Sequence, residues 1–324
     1  MRGRARPRRR QRGVALLIAL ILVALATLLA TKLSFDGWLE RRRTIGVLAA
    51  EQALHFAMGA EALAGVLLAQ TPSTETNLAQ PWAQPTAPLP LTPDENPEGE
   101  PIGMLQGSLE DMEGRFNLNN LARKSAPDGP EDLEVLRQFQ RLLSLVGLEP
   151  KWAGIARDWI DEDGIPGNPD GAEDAIYTAQ TPPYRTGNWP MTSPTELMNM
   201  PGFGADRYRK IAPYVTALPA TNSKINICTA PGPVLESLAD NLSGEFKDPK
   251  VLALNRKAGC FPTPAILGNI LGKSASTATP YKESTDYFRL TTRVTLGTTQ
   301  FTLYSLLYRS GGKLTPLLRT FGTP

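Results

Sequence analysis

The sequence predicts an α+β chain in which one very long amino-terminal helix lies on an antiparallel sheet and an all-α block interrupts that sheet. Three observations carry this prediction. An uncharged run over residues 14–31 passes into a helix-period apolar pattern that continues to about residue 70. Strand-like segments occur twice, at 102–109 and 283–321, and the residues between them read mostly as helices. The composition also narrows the chemistry. With 324 residues, a formal net charge of +2, one histidine (His55) and two cysteines (Cys228 and Cys260), the chain has no material for a Cys/His zinc cluster or a CxxC redox pair. Any Ser-His-Asp triad would have to be built on His55.

Residues 1–13 hold seven arginines and no acid, and the 18 residues that follow, 14–31, carry no charge. Eighteen residues of helix span about 27 Å, close to the roughly 30 Å hydrocarbon core of a bilayer. The basic side predicts a cytoplasmic amino terminus and a translocated body. A cleaved secretory signal would need a small-x-small site, and Lys32-Leu33-Ser34-Phe35-Asp36 offers none. A nucleic-acid arm would not lead straight into an apolar span, so a plain anchor is the main alternative. Arg12-Gly13-Val14-Ala15-Leu16-Leu17 resembles a type IV prepilin leader. That resemblance implies cleavage after Gly13 by a prepilin peptidase and N-methylation of Val14. Most pilins carry Glu at the fifth mature position, and here it is Ile18. A terminal ammonium left uncompensated in lipid is costly, so the subunit is better suited to a filament end than to repetition along it.

Beyond the span, Ile45, Leu48, Ala49, Ala53, Phe56, Ala57, Ala60, Leu63, Ala64 and Leu67 form a helical stripe, so the helix covers 14–70. His55 lies within it as an ordinary helix residue. Eight prolines over residues 71–101 predict an irregular loop, anchored at Trp82. Residues 71–123 are read as linker and first part of the head, 124–275 as the inserted helical domain, and 276–324 as a carboxyl-terminal β-meander. Helices are predicted at 132–146, 151–160, 194–198, 206–214, 231–242, 249–258 and 264–271, and strands at 287–296, 300–309 and 313–321. Gly114-Arg115-Phe116-Asn117-Leu118-Asn119-Asn120 reads as a structural corner, since Asn side chains bond to nearby backbone.

Residues 158–174 pack seven carboxylates into 17 positions, with four Gly or Pro turn formers between the two acidic groups. Hard oxygen donors without His or Cys select Ca²⁺ over zinc. The spacing is not that of an EF-hand, because Pro166 stands where the sharp-turn Gly belongs. A solvated acidic loop and a glycosidase-like carboxylate pair are the rivals. Met200-Pro201-Gly202-Phe203-Gly204 looks like the hairpin of a helix-hairpin-helix element, and residues 225–230 resemble the opening of another. A membrane-anchored DNA-binding protein of competence type is therefore the alternative function, although Glu196, Asp206, Glu236, Asp240 and Glu245 interrupt any basic face. On the trans side of a membrane Cys228 and Cys260 favour a disulfide over two buried thiols.

In order along the chain, the Gly13/Val14 leader without its Glu, Trp82-Ala83, residues 110–119, the acidic loop ending Gly171-Ala172-Glu173-Asp174, and Ile225-Asn226-Ile227-Cys228-Thr229-Ala230 resemble the general secretion pathway protein K family. These are the large minor pseudopilins of type II secretion. The resemblance implies a type IV pilin-like fold with an inserted helix-hairpin-helix-like domain and no catalytic residues. It implies calcium held by Asp161, Asp163, Glu173 and Asp174, with Asp158 and Asp170 as further ligands. It implies a tip complex with minor pseudopilins I and J above minor pseudopilin H and major pseudopilin G, built by an inner-membrane assembly platform, with the head in the periplasm. Loss of residues 1–13 would leave 27 basic residues against 32 acids, a mature charge of −5, which disfavours nucleic acid as a partner.

Overall fold

The computed structural model describes residues 12–92, 99–122, 130–240, 242, 244–271 and 280–322. Most of the arginine-rich leader, residues 1–11, lies outside them. Helix α1 (Arg12–Ala69) is continuous over 58 residues. Its first part, 13–52, has no buried residue, and it is long and apolar enough to cross a membrane. His55 is exposed on its surface.

After α1 the chain forms a short 3₁₀ turn that buries Trp82, then β1 (Leu89–Leu91) and β2 (Gly103–Asp111). The 71–101 stretch is therefore not wholly irregular: Leu89 to Leu91 pair antiparallel with Gly103 to Leu105 and add an edge strand. Next come β3 (Phe116–Asn117), α2 (Pro130–Leu145), α3 (Trp152–Ile160), α4 (Asp174–Tyr177) and α5 (Gly204–Ile211). They are followed by β4 (Val215–Thr216), β5 (Ile225–Asn226), α6 (Gly232–Glu236), α7 (Pro249–Asn255) and α8 (Pro264–Leu271). The chain closes with β6 (Tyr281–Lys282), β7 (Tyr287–Leu296), β8 (Thr299–Ser310) and β9 (Lys313–Phe321). The main sheet runs β1-β2-β7-β8-β9, antiparallel throughout. Strands β2 and β7 are neighbours although the whole helical block separates them in sequence, so that block is an insertion in a pilin-like α+β unit.

Two apolar cores follow. One joins Ala53, Ala57, Ala60, Ala64 and Leu68 of α1 to Trp82, Phe288, Leu290, Val294, Leu303 and Leu307. The other fills the helical block, from Phe116 to Tyr281, a few residues beyond each end of the 124–275 range read from helical periodicity. The asparagine corner ties it down: Asn119, fully buried, donates to the carbonyls of Met191 and Leu218 at 2.9 and 2.8 Å and accepts from the Met191 amide at 2.7 Å.

Two local readings are corrected. The helix expected over 231–242 stops at Glu236, because the buried Glu236 carboxylate accepts from the Gly244 and Phe246 amides at 2.9 and 2.6 Å and folds the following chain back. Residues 225–230 open no second hairpin; Ile225 and Asn226 pair in parallel with Tyr281 and Lys282.

Candidate metal centre

Asp158 sits in the last turn of α3, and Asp161 caps that helix with its amide bonded to the Arg157 carbonyl. The acidic loop then returns on itself. Gly171 N–H donates to Gly167 O at 2.6 Å, and the Gly167 and Ala172 amides both donate to Asp158 Oδ2 at 2.8 Å. This return delivers Glu173 at the start of α4. Asp158, Asp161 and Glu173 are all buried, and one carboxylate oxygen from each lies within 4.8 Å of the others.

Like charges brought this close out of water raise one another's pKa. Burial first, and then the charges of Asp158, Asp161 and Asp163, push the Glu173 carboxyl up to about 7. Its Oε1 is buried and accepts no hydrogen bond, while Oε2 lies 3.4 Å from Thr186 Oγ1. An all-oxygen donor set with a buried, unsatisfied acceptor fits a hard divalent cation such as Ca²⁺. Tyr177, fully buried a few residues after Glu173, packs between Trp159 and Tyr184 at ring separations of 5.2 and 5.5 Å.

The other sequence candidates lie outside that trio. Asp163 is half-buried, with Oδ1 accepting from the Ile165 amide at 2.9 Å. Asp170 is exposed. Asp174 accepts from the Thr186 amide and hydroxyl at 3.0 and 2.9 Å, bonds that hold its carboxyl below the usual range. Thr186 escaped sequence reasoning, since nothing in the residues between marks a threonine 12 positions on as the partner of Asp174.

Elsewhere, Cys228 and Cys260 are joined as a disulfide, with Cα atoms 4.5 Å apart. The hairpin at residues 200–204 leads into α5, whose two arginines bond locally while Lys210 is exposed. Arg207 Nη1 donates to the Gly202 and Phe203 carbonyls at 2.7 and 3.2 Å, and Arg209 pairs with Asp206. Asp206, itself exposed, sits within the short basic stretch and interrupts it, which counts against the DNA-binding alternative. At the other end of the molecule Gly13 and Val14 are exposed at the start of α1.

Comparison with known proteins agrees with this architecture. Residues 114–220 match the family described as "Type II secretion system (T2SS), protein K". Type II secretion system protein K of Pseudomonas aeruginosa is 31% identical over 331 residues, covering 97% of this chain and 94% of the relative. The Aeromonas hydrophila protein of the same description is 37% identical over 234 residues, 68% of each chain. Among solved structures, a chain of the GspK-GspI-GspJ complex of the enterotoxigenic Escherichia coli type 2 secretion system matches with a TM-score of 0.68 and 26% identity, covering 87% of this chain and all of that one.

Proposed function

The chain belongs to the type II secretion system protein K family and is a minor pseudopilin of that system, and from that premise we propose that it caps the pseudopilus tip and starts its assembly. The similarity to a chain of the GspK-GspI-GspJ complex is the observation that supports this reading. In it, minor pseudopilins I and J join α1 of this chain through their own long helices, and H and the major pseudopilin G follow below. The inserted block adds bulk that a repeating subunit would have to accommodate above it, and Ile18 leaves no carboxylate for a neighbour's terminal ammonium.

The amino terminus is cytoplasmic, α1 crosses the inner membrane once, and the head is periplasmic. Prepilin peptidase cuts between Gly13 and Val14, and Val14 is then N-methylated. Calcium occupies the cluster of Asp158, Asp161 and Glu173, with Asp163 beside it, and holds the acidic loop closed. The role is mechanical, with no catalytic residue.

A cell lacking this chain is expected to retain folded exoproteins in the periplasm. The chain should restore their export and co-purify with I and J. Replacing Gly13 with a bulky residue should leave the precursor unprocessed and secretion unrestored. Full secretion in the cell lacking the chain, or full restoration by an unprocessed variant, rejects the reading.

A further inference from the structure

The bare stretch of α1 between the apolar span and the head carries Phe35, Trp38, Glu40, Arg41, Arg42 and Arg43. No residue from 13 to 52 is buried, so nothing among the described residues packs over this segment. At 1.5 Å per residue, a span starting at Val14 leaves a hydrocarbon core of roughly 30 Å near residue 33. Phe35 and Trp38 then lie about 3 and about 7 Å beyond it, within the headgroup layer where Trp concentrates.

Helical side chains tilt toward the amino terminus, which here is toward the membrane. The structure records that tilt. The Arg42 guanidinium lies over the Trp38 ring, 4.7 Å from its centroid, and Trp38 stacks on Phe35 at 6.0 Å.

The acids of the segment lie elsewhere around the helix. At about 100° per residue, Arg42 is about 40° from Trp38 but about 160° from Glu40, and Arg41 is about 100° from Glu40. Arg43 falls on the side of Asp36 and Glu40. One sector therefore holds two aromatics and two arginines without an acid.

We infer that Trp38, Arg41 and Arg42 form a binding site for the phosphate of anionic phospholipid headgroups in the trans leaflet, with the Trp38 ring seating Arg42 and both guanidinium forks bonding phosphate oxygens. The positive-inside rule accounts for the leader arginines but not for these, which follow the span. Such a site would hold the helix at a fixed depth until the subunit is drawn from the bilayer.

The inference rests on α1 being a membrane anchor, and one experiment separates the two. The full chain is reconstituted in phosphatidylcholine vesicles with and without phosphatidylglycerol. The association of spin-labelled phosphatidylglycerol relative to spin-labelled phosphatidylcholine is then read by electron paramagnetic resonance. The leader is unchanged in every variant, so its contribution cancels. Arg41→Gln/Arg42→Gln should lower the ratio at least about twofold, and Arg43→Gln should leave it within error. A double variant matching the wild type, or Arg43→Gln lowering the ratio as much as the double variant does, overturns the site while the anchor stands. Failure to float with either vesicle overturns both.

Discussion

A methyl group added at Gly171 would overlap the Gly167 amide nitrogen and Asp158 Oδ2, so Gly171→Ala has to open the turn that delivers Glu173 to its two partners. It should weaken calcium binding at least about tenfold, a loss of about 1.4 kcal/mol by calorimetry. Asp170→Ala, one residue earlier but at an exposed side chain, should bind nearly as wild type does. Glu173→Gln separates charge from shape. Without calcium it should raise the melting temperature, because a buried negative charge facing Asp158, Asp161 and Asp163 is removed. Calcium at a hundred times its Kd should add about 2.7 kcal/mol to the wild-type head and far less to this variant. A variant stabilised by calcium as strongly as the wild type would remove Glu173 from the ligand set. The acidity of this loop was plain in the sequence. Which carboxylates converge was not, because Asp158 is set by the last turn of α3 and Glu173 by a loop return that hinges on one glycine.

At the scale of elements, α1 meets the sheet through its smallest side chains. Ala53, Ala57, Ala60 and Ala64 are buried, while Leu63 on the same helix is 56% exposed. Apolar spacing located the helix and its length but drew the stripe too wide, since periodicity weighs Leu above Ala. Close approach to β7 and β8 demands the reverse. Ala57, with no exposed surface, is the sharpest test. Ala57→Leu should cost about 1–3 kcal/mol of head stability through overpacking, measured by urea unfolding. Helix content in the native state should be unchanged, since Leu is nearly as good a helix former as Ala. No loss of stability would show that the sheet face yields. Strands β7, β8 and β9 and helices α2, α3 and α8 were legible because each is long enough to show a period or carries Pro or Gly at an end. The two-residue pairings of β3 with β4 and β5 with β6 have no period to show. They join residues about 55 to 100 positions apart, and only the finished fold brings them together.

Across the whole molecule, the two apolar cores meet through a buried polar layer. Asp111, at the end of β2, accepts from the Glu113 amide at 2.8 Å, Asn226 Nδ2 at 2.7 Å and Thr229 Oγ1 at 2.6 Å. Glu113 Oε2 accepts from Lys282 Nζ at 2.8 Å, Thr285 Oγ1 at 2.8 Å and the Asp286 amide at 2.7 Å. Residues from the pilin-like unit and from the inserted block are thus held by two acids. Burial raises both carboxyls above their ordinary values of 3.8 and 4.5, against the lowering effect of their bonds. A raised carboxyl pKa means that the native state holds the proton more firmly than the unfolded chain. The resulting stabilisation is complete below the unfolded values and is lost as pH rises through the folded ones. Lys282, whose pKa is raised chiefly by Glu113 against the opposing effect of burial, stays charged across that window and does not alter the sign. In chelator, the melting temperature of the head should therefore fall as pH is raised above the ordinary carboxylate range, and Glu173, pushed up to about 7, should add to the fall with the same sign. Glu113→Gln, which cannot ionise, should show a melting temperature that changes less steeply with pH than that of the wild type. A variant with the wild-type slope would show that this layer does not carry the pH dependence.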